Sequence, residues 1–281
     1  MNWSKAKTIL IVALIVTNVI LLYSVYSEEN PIDPTVDEDF LQEVEKSLEE
    51  IDIGLKTSIP TFKPSLHGLI VEYDMKDIDL LNQDFFNANG AIVSKGEGFS
   101  EINYGNELLS LINDKMILYE ATNREKIYNI KNAAEAVEIA HDFLEQRSFD
   151  TSDMRTSFLR VEDGLYTIEF TKIYRDNLLE STFTNIQVDN RGVKNLQRSW
   201  LNVIDKGTNE IYIDSAPKAL LSLLGMSQVQ GKDIINISLA YYFEPEIHDY
   251  IDEPDEAQRG RAIPAWRITF HDGYKVFIDN Y

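Results

Sequence analysis

The chain has 281 residues, 44% of them hydrophobic, with 47 acidic against 26 basic side chains and a formal charge of −21. Such a surface repels nucleic acid and anionic lipid headgroups alike. The length allows one large or two to three small domains with a real core, and the absence of cysteine excludes disulfides and lipoprotein processing.

No charged residue occurs over 8–27, a run dominated by Ile, Val and Leu. At helical rise it is long enough to cross a hydrocarbon core of roughly 30 Å, so the run predicts a transmembrane helix. A cleaved secretory signal, with Val25 and Ser27 before the cut, competes, but its apolar region is usually about 7–15 residues long. Tyr23 and Tyr26 suit interfacial anchors. Lys5 and Lys7 precede the run, whereas Glu28, Glu29 and Asp33 follow it, with no Lys or Arg before Lys46. This asymmetry predicts a cytoplasmic tail over 1–7, a single pass through the cell membrane, and an extracytoplasmic remainder. Asn18 places an amide inside the run that lipid would leave unsatisfied. Asn18 and its neighbour Thr17 are therefore candidate contacts to a partner helix, although Thr17 can also bond back to its own helix.

Pro31 and Pro34 mark a linker over 28–37. Phe40, Leu41, Val44, Leu48 and Ile51 form an apolar stripe that predicts a helix over 36–51. Residues 66–73 read as a strand and 78–86 are ambiguous. Strands are expected at 91–94, between the turn signals Asn89-Gly90 and Gly96-Glu-Gly98, and at 115–119. Together they make an N-terminal subdomain over 38–130.

The clearest helix is 132–147, where Asn132 can cap, Glu135 completes a capping-box-like pair, and Ala133, Val137, Ala140 and Leu144 line one face. Strands follow at 156–161, 165–174, 181–188 and 193–203, joined by turns at Asp163-Gly164 and Asn190-Arg-Gly192. Connections this short make antiparallel pairs, which gives a helix-plus-sheet unit over 131–210. A second unit over 211–281 repeats the order: a helix starting at Ser215 with Pro217 in its first turn and Gly225 at its end, then strands at 234–243, 262–270 and 274–279. The expected fold class is α+β: an N-terminal transmembrane helix followed by extracytoplasmic mixed or antiparallel sheet units with packed helices.

Signals for chemistry are sparse. His67, His141, His248 and His271 lie far apart, with no zinc-ligand spacing. The acidic stretch from His248 to Glu256 lacks the alternation and central glycine of a calcium loop. Two Ser-x-x-Lys matches, at Ser4 to Lys7 and Ser215 to Lys218, lack the companion elements of penicillin-recognising enzymes, and nucleophile elbows and phosphate loops are absent. No catalytic residue, cofactor or metal ligand is assigned, and the reading is a protein that is not an enzyme. Trp200, Tyr212, Tyr241, Tyr242, Phe243, Trp266 and Phe277 fall on predicted strands or strand edges, as core with some members available for docking.

The opening Met1-Asn-Trp-Ser-Lys-Ala-Lys-Thr-Ile-Leu10 resembles the start of the YycI (WalI) proteins. Ile263-Pro-Ala-Trp-Arg-Ile-Thr-Phe270, Asp272-Gly273 and Val276-Phe-Ile-Asp279 resemble the closing strands of that family and of YycH, which are shared with exported PepSY-like domains. The resemblance implies a single-pass membrane regulator. With YycH (WalH) it would associate with the sensor histidine kinase YycG (WalK) of a two-component system and adjust cell-wall metabolism. It implies no catalytic or ligand-binding residue. The rival reading is a PepSY-like protease-inhibitory or protein-binding module.

Overall fold

A computed structural model describes residues 7, 11, 13–19, 21–22, 37–96, 98–122, 125–243 and 258–279. Helix α1 (Glu38–Glu50) opens at Asp37, whose carboxylate accepts the N–H of Glu38 at 2.9 Å, and it buries Val44 and Leu48. Strand β1 (Gly54–Leu55) and strand β2 (Ser65–Tyr73) follow. The ambiguous stretch is helix α2 (Ile78–Phe86): Asp77 accepts from Asp79 and Leu80, and left-handed Asn87, at φ 51°, ends it. Local capping decides what the short apolar run leaves open.

A meander of β3 (Ala91–Gly96), β4 (Phe99–Tyr104), β5 (Glu107–Ile112) and β6 (Met116–Ala121) comes next. Helix α3 (Ala133–Glu145) starts where Asn132 accepts from Glu135 N–H at 3.0 Å, while Glu135 reaches back to the N–H of Lys131 at 2.9 Å. Five long strands follow: β7 (Met154–Glu162), β8 (Leu165–Tyr174), β9 (Asn177–Asp189), β10 (Gly192–Ser199) and β11 (Leu201–Tyr212). Helix α4 (Ala216–Leu220) continues as 3₁₀ turns over Leu221–Gly225 and Ser227–Val229. The described chain closes with β12 (Asp233–Tyr242), β13 (Arg259–Phe270) and β14 (Lys275–Ile278).

The strands run in the order β11-β2-β13-β12-β9-β10-β6-β5-β4-β3, with β8 and β7 branching from β9, β14 from β13 and β1 from β12. Most pairs are antiparallel, but β1–β12 and β9–β12 are parallel. The joint is β9. Its start pairs with β12 through Leu178 and Leu179, and its later part pairs with β10 from Phe183 onward. Between them Ser181 sits at φ 67°, a left-handed position where the register against β8 also shifts, so that the strand pairs with β12 before it and with β10 after it.

Three cores result. Helices α2 and α3 cover one face of the sheet β4-β5-β6-β10-β9-β8, burying Phe86, Ile102, Leu109, Ile117, Leu144, Ile168 and Ile186. Helices α1 and α4 cover β12–β14 around Leu48, Leu220, Trp266 and Phe270. A small cluster of Leu69, Val71, Leu179, Leu201 and Phe243 fills the space between β2, β11, β13 and the start of β9. Each such fully buried side chain is worth roughly 1.5–3 kcal/mol of transfer free energy. The stretch 38–130 thus supplies elements to two cores that are distant in sequence: α1 packs beside α4, and β2 pairs with β11 and β13.

The expected fold class is corrected on two counts. Among the described residues no helix is long and apolar enough to cross a membrane, so the N-terminal transmembrane helix is not upheld. Of the run 8–27, residues 11, 13–19 and 21–22 are described and helical, and the others lie outside the described residues. Apolar composition made the run look like a span, but composition supplies length and hydropathy and does not by itself establish a spanning helix. The second correction concerns balance. Among the described residues a continuous network of fourteen strands dominates, and β4 and β5 are not recognised in the sequence reading. Residues 28–36 of the expected linker and the acidic stretch 248–256 lie outside the described residues.

Candidate functional site

The face of the central sheet turned away from α2 and α3 is open, and its composition follows from the period of two. On β9, Ile186 and Val188 point into the core, so Asn185 and Gln187 point the other way. On β10, Leu196 is buried and Asn195 and Gln197 share the open face. These residues belong to two matching tripeptides, Asn185-Ile-Gln187 and Asn195-Leu-Gln197, on either side of the Asn190-Arg-Gly192 turn. Register places Asn195 opposite Gln187 and Gln197 opposite Asn185. The four carboxamides form a two-by-two block with local two-fold symmetry.

Register extends the block into two rows across six strands. One row runs Leu108, Glu120, Asn195, Gln187, Thr167, Arg160. The other runs Ser110, Leu118, Gln197, Asn185, Glu169, Phe158. The rows floor a cleft of about 780 Å³, and the turn between β13 and β14, at Asp272 and Gly273, forms a wall. Gly273, at φ 87°, lies so close to the Phe158 ring that a Cβ there would stand 3.0 Å from it. Asn195 Nδ2 donates to Gln187 Oε1 at 2.9 Å and Gln197 Nε2 approaches Met116 Sδ at 3.5 Å, so much of the block's hydrogen-bonding capacity faces the cleft.

An ion network fastens the wall to the floor. Ser157 donates to the Glu169 carboxylate at 2.5 Å, and Lys275 of β14 pairs with the same carboxylate. Lys275 also lies 3.5 Å from Glu180, which accepts from Arg267 Nε at 2.5 Å. Arg267 is 2% exposed; its Nη1 donates to Thr269 at 2.7 Å, while Nη2 is buried with no partner among the described residues. Charges this deeply buried persist only when paired, so the network clamps β14 to β8 and β9. Because Ser157 and Lys275 both engage Glu169, the hydroxyl, carboxylate and amine are committed to one another.

Two other features have structural explanations. A cavity of about 490 Å³ on the helical side holds Arg147, whose guanidinium lies 3.5 Å from the Phe143 ring centre and donates to the Phe143 carbonyl, closing the end of α3. Burial lowers the Arg147 pKa. On β10, Arg198 is 3% exposed, stacks 4.1 Å from the Trp200 ring and donates to Thr184 at 2.5 Å. Burial pushes its pKa down to about 10, against the opposing pull of Asp74, Asp153 and Asp150.

The structure distributes the sequence candidates widely. Thr17 donates its hydroxyl to the Ala13 carbonyl at 2.9 Å, the local bond anticipated for it, and Asn18 is helical and exposed. Ser215 is buried, whereas Lys218 turns outward to Asp214 at 2.9 Å. Trp200, Tyr241, Phe243 and Trp266 are core, while Tyr212 is 62% exposed on β11. His141 meets the Phe170 ring at 4.8 Å, and His271 Nδ1 accepts from the N–H of Asp233 at 3.2 Å. Among the described residues no group of three or more His, Asp or Glu could hold a metal ion; His248 lies outside them. Sequence reasoning missed the carboxamide block, although the repeated Asn-apolar-Gln tripeptide around a turn is a legible signal.

No protein-family model and no curated protein matches the sequence. Among solved structures, YycH from Bacillus subtilis is similar with a TM-score of 0.55 at 13% identity, covering 84% of this chain and 61% of that one. An uncharacterized protein from Eubacterium rectale gives 0.51 at 12% identity, covering 84% of this chain and 93% of that one. At such identity the likeness speaks to architecture alone. The fold of this chain is YycH-like.

Proposed function

We propose that this chain is a non-catalytic regulatory protein acting outside the cytoplasm, where it associates with a sensor histidine kinase of the YycG (WalK) type and with a YycH-type protein. The observation that carries this reading is the YycH-like fold over 84% of the chain. Support comes from the ends of the sequence that resemble YycI. The C-terminal resemblance falls on β13 and β14, the hairpin whose turn walls the cleft. The fixed pairing of Ser157, Glu169 and Lys275 suits a scaffold better than a reacting centre.

The test is the phosphorylation state of the cognate response regulator in cells with and without the full chain. The reading expects the phosphorylated fraction to change when the gene is deleted and to return when the chain is restored. An unchanged fraction under growth and cell-wall stress alike contradicts it.

A further inference from the structure

We propose that the carboxamide block on the open sheet face binds an uncharged oligosaccharide along the cleft. The floor's backbone N–H and C=O groups are spent in the ladders β5-β6-β10-β9-β8-β7, so only side chains can recognise a ligand there. At its centre those side chains are Asn185, Gln187, Asn195 and Gln197, whose carboxamides keep donors and acceptors beyond the Asn195–Gln187 and Gln197–Met116 contacts. Sugar hydroxyls and acetamido groups, which both donate and accept, are the complement of such a surface. Ser110 and Thr167 extend the same chemistry outward.

Charge and shape narrow the occupant. Of the charged groups that line the cleft, Glu169 is paired with Lys275, Asp272 with Lys232 and Arg160 with Glu162, so no cluster of cations faces the cleft in a chain of net charge −21, which disfavours phosphorylated, sulfated or uronic chains. An extended peptide would need pockets for alternate side chains, but apolar residues stand only toward the ends of the rows: Phe158 at one, Leu108 and Leu118 at the other. Phe158, held by the Gly273 turn, offers a ring edge or face at the wall. Six strands at the usual spacing of about 4.8 Å span roughly 24 Å, a length that favours an oligomer over a single sugar.

The full chain is titrated calorimetrically with N-acetylglucosamine tetramer, cellotetraose, a heparin tetrasaccharide and an unstructured polar peptide. The proposal expects saturable binding of at least one neutral tetrasaccharide, none of the heparin fragment, and at least a tenfold loss of affinity in Asn185→Ala/Gln197→Ala. Both residues lie on the cleft face and outside the buried core, so the double variant should keep the wild-type circular dichroism spectrum. Leu80→Ser, on an exposed position of α2, serves as a control expected to bind normally. Failure of both neutral sugars to bind, unchanged affinity in the folded double variant, or displacement of the sugar by the peptide overturns the proposal. Response-regulator phosphorylation measured in the same variant separates this inference from the regulatory reading, which does not depend on the carboxamides.

Discussion

Arg267 and Glu180 carry opposite charges at 2% and 5% exposure, and the cost of removing either from water is met only by the other and by the groups around them. Glu180→Ala strands the guanidinium and is expected to destabilise the fold by about 3–5 kcal/mol in urea denaturation. Replacing both members together, as Glu180→Leu/Arg267→Met, should recover much of that loss; a double variant as unstable as the single one would show that the pair organises more than itself. Asp272, on the cleft wall, behaves differently. The hydrogen bond from Lys232, helped by the N–H of Tyr274, lowers its pKa against partial burial. A folded pKa below the ordinary carboxylate value of about 3.9 gives stabilisation that is complete above that value and lost as pH falls through the depressed one. Thermal melts of wild type and Asp272→Asn should therefore be furthest apart, wild type higher, above about pH 5, and the gap should shrink as pH falls below the ordinary carboxylate value.

At the scale of elements, caps and alternation determine most of the outcome. Asn132 and Glu135 start α3 as their types predict, and Asn132→Ala should cost about 1 kcal/mol, measured by chemical denaturation. The strands β7 to β10 and β12 to β14 were readable because polar and apolar residues alternate between marked turns such as Asp163-Gly164, where both φ angles are positive. Helix α2 was not, since Ile78 to Phe86 is too short for its apolar spacing to distinguish helix from strand, and the Asp77 cap decides. Strands β4 and β5 were missed for another reason: the tight turn at Gly105-Asn106 that joins them went unread, and Glu107 to Ile112 is a nearly continuous apolar run without clean alternation. The opening run misled in the other direction, since apolarity alone does not establish a spanning helix. Half of the candidate site was present in the sequence as two Asn-apolar-Gln tripeptides. Their pairing across β9 and β10, and the arrival of the β13–β14 turn beside Phe158, depend on register and on long-range packing, which residue types do not disclose.

At the scale of the molecule, β9 and β13 tie the parts together. The bulge at Ser181 lets one strand serve the sheet under α2 and α3 and the sheet under α1 and α4, and the Glu169-Lys275-Glu180-Arg267 network locks the two at the cleft. Loss of one core should remove support from the other, so urea unfolding followed by tryptophan fluorescence and by far-ultraviolet circular dichroism is expected to give coincident single transitions. Two separated transitions would mean that the sheets are independent. The same tie fastens the cleft wall to its floor. The regulatory reading is tested most directly by in vivo cross-linking and affinity purification of the full chain, with identification of what is captured. The account predicts recovery of the cell's YycG-type histidine kinase, above the level captured by an unrelated bait. Purification that repeatedly yields no histidine kinase, under conditions where the kinase is shown to be present, contradicts it.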